Sequence, residues 1–459
     1  MGSRAAPLLL VAVACGSGAS AGSAGGPEDS GGADSTAPID GATDSSANDS
    51  SLPGDGGPVD SAANDGGRGD GSASDAGAGD GSVDAGSVYT DITDPANWEV
   101  VRPGTAGTMG AAFDGRYVYY GPHNDMLAWR YDTQGAWDGG AWEAFSLPSA
   151  SGTVFGDSNG KYVYFVPYGS TAVRVDSTAF EDAGAWTSYD LTTTVPGAGG
   201  AWGGTFDGRW FYVGVGAGSP SKSYVMRYDS TASDFSAWEA FDTSVLSLGP
   251  DAGVSALTSP GTDGKYVYYC GAVAGSGTIG GAVVARFDIT GTFTDPAAWE
   301  TYDVGAIKAS LASCTGTIFD GRYLYFVPDN YSLAADTVAR YDTAAPFAVA
   351  SSWSFFDIYN LTPNSFRYMG GTFDGRYAYF VPFDTTLVVR VDTTAPFTAK
   401  TSWSTFDMGT LGGTSSAGAA FDGQYVYFAP YGTGNTATYT RFKARTTPST
   451  PPKLASGSL

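Results

Sequence analysis

The feature that most constrains this chain is a short aromatic segment that occurs seven times, at a spacing of about fifty residues. FDGRYVYY at 113–120 recurs as NGKYVYFVPY at 159–168, FDGRWFYVGV at 206–215, TDGKYVYYCG at 262–271, FDGRYLYFVP at 319–328, FDGRYAYFVP at 373–382 and FDGQYVYFAP at 421–430. Each copy is followed by a segment with one arginine: Arg130, Arg174, Arg227, Arg286, Arg340, Arg390 and Arg441. The first six copies then run into a segment led by Trp142, Trp186, Trp238, Trp299, Trp353 or Trp403. One such unit cannot bury its apolar surface alone, so the units must pack on one another.

Runs such as Tyr-Val-Tyr-Phe-Val lack polar alternation, which means that neither face of the strand meets water. A strand in a small sheet squeezed between two neighbouring sheets satisfies that demand. Gly 66, Pro 24 and 14% aromatic residues, against 15% charged, suit many short strands rather than helices. The Asp-Gly pair ahead of six of the aromatic runs predicts a two-residue hairpin turn with both residues at positive φ. In the second unit a longer turn is expected, from Gly156 to Gly160. The unit length is that of one four-stranded propeller blade. No tryptophan segment follows Arg441, but DPANWEVV at 94–101 matches DPAAWETY at 295–302. The expected fold is therefore all-β: a seven-bladed β-propeller over residues 89–445, its last blade completed by the N-terminal strand containing Trp98, leaving no open edge.

The order of aromatic hairpin, Tyr-Asp strand and Trp strand resembles the kelch class of propellers over essentially all of residues 94–445. Val327-Pro328 and Val381-Pro382 stand where that class places paired glycines. The resemblance implies a fold, not an activity.

Ahead of the ring, MGSRAAPLLLVAVAC has a basic residue, an apolar run and small residues before Cys15, the layout of a secretory signal over residues 1–15. Ala12-Val13-Ala14-Cys15 resembles a bacterial lipobox, which implies lipidation of Cys15 as the mature N-terminus, while ordinary cleavage after the same Ala-Val-Ala is the alternative. Residues 16–88 hold twelve Asp, one Glu and one Arg among Gly, Ser and Ala, with no aromatic residue. Such a segment cannot offset its chain entropy by burial and is expected to be a disordered tether. Residues 446–459 are expected to form a disordered tail. The expected location is extracytoplasmic: an outer-membrane or cell-surface lipoprotein, otherwise secreted, touching the membrane only through its lipid.

A formal charge of −24 argues against nucleic acid as a partner. One histidine and three cysteines leave no set of ligands for zinc or copper, and neither metal nor cofactor is expected. A residue present in all seven units serves the blade, so function is sought where the repeat breaks. On the face formed by the loops after each aromatic strand, those positions are His123, Asn124 and Asp125, Tyr168, Trp202, Asp329, Asn330 and Tyr331, Arg367, Tyr368, Phe383 and Asp384, and Tyr431 with Asn435. Aromatic rings beside Asp and Asn suit a neutral sugar or a peptide. The function expected is a monomeric binding or scaffold module for a glycan or protein ligand. The alternative is a carbohydrate-active enzyme on the same face, using a carboxylate pair from Asp125, Asp329 and Asp384. Cys270 and Cys314 fall on adjacent blades and can form a disulfide if their Cα atoms lie within about 7 Å.

Overall fold

The structure, a computed structural model, describes residues 88–451 except 105–106, 124–125, 148–151, 218–221, 250–251, 274–281, 312–313, 330–335, 363–366 and 432–437. The signal segment with Cys15, the tether up to residue 87, residues 452–459, and Asn124, Asp125, Asn330, Tyr331 and Asn435 lie outside the described residues.

Seven antiparallel sheets form a closed ring, a seven-bladed β-propeller. Blade 1 runs from the inner strand Thr108–Phe113 through Tyr117–Pro122 and Leu127–Asp132 to the outer strand Trp142–Ser146. Blades 2, 5 and 6 repeat that order, with inner strands Thr153–Ser158, Cys314–Phe319 and Tyr368–Phe373. In blade 3 the inner strand is split into Ala198–Gly199 and Gly204–Phe206, and blade 4 gains a short extra strand, Ser247–Gly249. Blade 7 contains Ser416–Phe421, Tyr425–Pro430 and Tyr439–Lys443, and its outer strand is Trp98–Val101. Trp98 lies opposite Phe442 and Glu99 opposite Arg441. The N-terminal strand thus closes the ring as the repeat count requires. Helical structure among the described residues is confined to 3-10 turns of three or four residues.

The turns differ from the expected geometry. In blade 1 the ladder pairs Phe113 with Val118, and the Asp114 amide donates to Tyr117 O, so the two central residues are Gly115 and Arg116. Only Gly115 takes a left-handed φ, +107°. Asp114 flanks the turn, its Oδ1 accepting from the Arg116 and Tyr117 amides and its Oδ2 from the Tyr119 hydroxyl. The carboxylate fastens the loop and accepts the proton of a buried phenol. Asp207, Asp263, Asp320, Asp374 and Asp422 do the same. In blade 2 Asn159 takes this place, with Gly160 and Lys161 central, so the turn there is no longer than the others.

The repeated arginines of the third strands knit the ring together. Arg130, Arg227, Arg286 and Arg441 pair with Glu143, Glu239, Glu300 and Glu99 on their own outer strands. Several also reach the next blade: Arg130 Nη1 donates to Ser177 O at 2.8 Å, and Arg174 Nη1 to the Tyr228 hydroxyl at 2.6 Å. Four of the aspartates two residues on, Asp132, Asp229, Asp342 and Asp392, are instead held by the turn arginines, as in Arg209–Asp229 at 2.6 Å. Between blades the outer strands stack rings, with Phe356 on Trp403 at 4.3 Å and Phe406 on Trp98 at 4.6 Å. Tryptophan indoles also donate inward, Trp98 to Ile92 O and Trp353 to Phe347 O.

Both ends of the ring emerge on the Asp-Gly-turn face. The Thr446 amide donates to Val88 O, and the Ser449 amide to Gly423 O, so residues 446–451 begin along the last blade. The opposite face carries neither end of the ring.

Candidate functional site

A single repeat position builds most of the site. In blades 1, 2, 5, 6 and 7 the second strand ends in proline: Pro122, Pro167, Pro328, Pro382 and Pro430. Proline has no N–H to continue a ladder, so it ends the strand, and the next residue rises onto the face. Those next residues are His123, Tyr168, Asp329, Phe383 and Tyr431, with Gly216 and Ala272 at the matching places in blades 3 and 4. Four of them are fixed by one backbone bond to the residue preceding the inner strand of the same blade: His123 to Gly107 O, Tyr168 to Gly152 O, Phe383 to Arg367 O and Tyr431 to Ser415 O, at 2.8–2.9 Å. Gly152 is obligatory there, because a Cβ would sit 1.9 Å from His123 O.

Ring contacts join these side chains into an arc around the face. Phe383 lies 4.4 Å from Tyr431, Tyr431 5.7 Å from His123, His123 5.6 Å from Tyr168, and Tyr168 5.7 Å from Trp202. The arc spans blades 6, 7, 1, 2 and 3. Tyr168 is 37% exposed, and His123, Trp202 and Tyr431 are half-buried, so the arc is open to solvent from Tyr431 to Trp202, while Phe383 at its end is buried.

One end of the arc meets a charged cluster. The Arg367 guanidinium sits 4.7 Å over the Phe383 ring, donates to Asp329 Oδ1 at 2.7 Å, and donates to Asp384 Oδ2 at 2.9 Å. Its backbone amide, at a φ of +63°, donates to Asp336 Oδ2 at 3.2 Å. A non-glycine residue in this region is strained, and the three aspartates hold it there. Burial pushes the Asp329 carboxyl above the usual carboxylate range, against the pull of Arg367. Burial also raises the Tyr431 phenol.

Of the residues expected on this face, His123, Tyr168, Trp202, Phe383, Tyr431, Asp329, Arg367 and Asp384 come together. Phe383, Arg367 and Asp329 are buried, however, forming the floor beneath the exposed rings rather than contact surface. Tyr368 is a correction: it is fully buried on the blade 6 inner strand, where its carbonyl accepts from Thr315, so a ligand on the face cannot reach its ring. Sequence reasoning missed Asp336, and also Thr385, Thr386, Thr414 and Ser415. With Asp384 and Tyr431, the last four line a groove of about 590 Å³ between blades 6 and 7. Short hydroxyl side chains are common in this chain, and only their loop positions set these apart.

Cys270, on the second strand of blade 4, and Cys314, at the start of the blade 5 inner strand, have Cα atoms 5.9 Å apart with their sulfurs in contact. The separation is within the range a disulfide spans.

No family model matches the chain, and no curated protein matches it. Among solved structures it is similar to BamB from Moraxella catarrhalis, at 14% identity over 73% of this chain and 85% of that one, with a TM-score of 0.39. It is also similar to YCF48 from Cyanidioschyzon merolae (11% identity, 76% and 98% covered, TM-score 0.46) and to Kuenenia stuttgartiensis hydrazine synthase (13% identity, 76% and 96% covered, TM-score 0.48).

Proposed function

We propose that this chain is a secreted binding or scaffold module, held at an outer membrane or cell surface by a lipid on Cys15, whose irregular face receives a glycan or protein ligand. The observation that carries this is the aromatic arc from Phe383 to Trp202. Its rings at His123, Tyr168 and Tyr431 stand at a repeat position whose side chains differ from blade to blade, and from Tyr431 to Trp202 the arc is open to solvent although tyrosines such as Tyr119 and Tyr164 are fully buried in the blades. Large rings with few rotatable bonds, beside fixed polar groups, suit recognition. The close approach of Cys270 and Cys314 agrees with an oxidising compartment. Val88, the first described residue, lies on the opposite face, where its carbonyl accepts from the Thr446 amide.

The enzyme reading gains less support. Asp329 and Asp384 share the Arg367 guanidinium, and Asp329 is 7% exposed, so the pair is engaged in holding the loop.

A screen of the full-length protein against immobilised glycans and peptides tests the proposal. Tyr168→Ser and His123→Ala should reduce capture of whichever class binds, with an unchanged melting temperature. Capture lost only through changes on the Asp-Gly-turn face, such as Arg322→Glu, would refute the assignment of the irregular face.

A further inference from the structure

We infer that the groove between blades 6 and 7 is a subsite for a short uncharged saccharide, which rests on reading the irregular face as the ligand surface. Its walls are Asp384, Thr385 and Thr386 from blade 6, and Thr414, Ser415 and Tyr431 from blade 7. The groove measures about 590 Å³ and opens widely to solvent, leaving room for a short ligand laid along it.

The chemistry of the walls selects the ligand class. Tyr431 supplies an aromatic platform at the end of the groove. Its ring rests on Phe383 at 4.4 Å, and its backbone is tied twice to Ser415, through Tyr431 N–H to Ser415 O at 2.8 Å and Ser415 Oγ to Tyr431 O at 3.3 Å. A held ring offers stacking area to the C–H face of a pyranose at low entropic cost. Around it stand groups with hydrogen-bonding capacity to spare. Thr385 Oγ1 accepts from the Leu387 amide at 3.1 Å, and its hydroxyl proton remains to donate. Thr414 Oγ1 accepts from the Thr438 amide at 3.3 Å and lies 3.4 Å from the Thr438 hydroxyl, which donates to Gly412 O at 2.9 Å, so the Thr414 proton can turn to either Thr438 or a ligand. Asp384 uses Oδ2 for Arg367, while its side chain is 40% exposed and its Oδ1 takes no hydrogen bond from the described residues. Two donors and a carboxylate acceptor beside one aromatic face match sugar hydroxyls, which both donate and accept.

Other ligand classes fit less well. An anion would need a cation, and Arg367 is already clasped by Asp329 and Asp384 in a chain of net charge −24. A cation would find one carboxylate already shared with arginine, among hydroxyls. An extended peptide is bound through a free sheet edge or apolar sockets, whereas these walls are loops bearing hydroxyl groups.

The test is binding of the full-length protein to three probe sets: neutral oligosaccharides, sulfated or uronate oligosaccharides, and a peptide library. At least one neutral oligosaccharide should bind. Loss of one sugar hydrogen bond in Thr385→Ala or Thr414→Val should weaken it about tenfold, and Tyr431→Ala should weaken it more, while Tyr431→Phe keeps it within about threefold. Melting temperatures identify any variant that fails to fold, and Thr385→Ala, at a surface loop, serves if Tyr431→Ala does. Binding of acidic sugars alone, or neutral-sugar affinity equal in all these variants, overturns the inference. Peptide capture that Tyr168→Ser abolishes, with no saccharide bound, overturns the sugar subsite and leaves the binding face intact. If none of the three sets binds, both fall.

Discussion

Closure by the N-terminal strand makes Trp98 as important to the ring as the tryptophans in the middle of the chain, although ten residues before it the sequence is still tether-like. Trp98 is 5% exposed, stacks on Phe406 at 4.6 Å, packs on Phe442 at 4.8 Å, and donates its indole N–H to Ile92 O at 2.8 Å. Truncating a buried aromatic costs about 3–5 kcal/mol, and an orphaned carbonyl adds about 1 kcal/mol. At ~2.1 cal/mol/K per residue, a ring of about 360 residues has an unfolding entropy near 0.76 kcal/mol/K, so Trp98→Ala should lower Tm by about 5–8 °C. Scanning calorimetry of Trp98→Ala beside Trp353→Ala, its equivalent in blade 5, provides the comparison, and the two should fall together. The Phe variants sharpen it. Trp98→Phe leaves Ile92 O without its donor, whereas the Trp142 indole N–H has no partner among the described residues, so Trp142→Phe gives up no hydrogen bond. Trp98→Phe should therefore melt about 1–3 °C below Trp142→Phe. A Trp98→Ala protein melting within a degree of the parent, while Trp353→Ala drops, would refute closure by this strand.

A Cys270–Cys314 bond, enclosing a sequence separation of 44 residues, should be seen as two thiols released only on reduction of denatured protein, and Cys270→Ser should lose about 4 kcal/mol in the chain-entropy picture; free thiols before reduction would dismiss it. Hydrogen bonds from Arg209 hold Asp229 at about 2, and Arg116 and Arg322 lower Asp132 and Asp342 in the same way. Because these folded-state values lie below the unfolded carboxyl near 4, their stabilisation is complete above pH ~4 and is lost as pH falls toward 2. Arg209→Gln combined with Arg322→Gln should move the acid-unfolding midpoint to higher pH, and an unmoved midpoint would show the pairs to be inert. On the irregular face, Phe383→Ala should lower Tm by several degrees while Tyr168→Ala leaves it unchanged, since only the first ring is buried; equal effects in thermal melts would contradict the division into floor and rim. Cys15→Ser should abolish membrane partition of the full-length protein, and an intact mass showing unmodified Cys15 in the mature wild-type protein would remove the anchor.

The ring was legible in the chain because a repeat writes its own architecture. The aromatic runs Tyr117–Pro122 to Tyr425–Pro430 state that both faces are covered, and the match of Trp98 to Trp299 states which blade is incomplete. Local chemistry was less legible. The Asp-Gly pairs suggest a turn with both residues at positive φ, yet Asp114 is worth more outside the turn centre, where one carboxylate satisfies two amides and a buried phenol at once. That phenol lies five residues further along, and only the formed hairpin brings it within reach.

The site divides in the same way. Sequence alone marks His123, Tyr168, Phe383 and Tyr431 as departures from the repeat, and the proline before each explains why the residue leaves the ladder. Only the tertiary structure decides that Phe383, Arg367 and Asp329 lie beneath the surface, that Tyr368 belongs to the core, and that Thr385 and Thr414 face one groove. These residues come from separate blades, so the distance between them depends on how many blades pack around the axis and on the tilt of each against the next. A linear repeat carries the number of blades, but it does not carry the contacts made once the first and last have met.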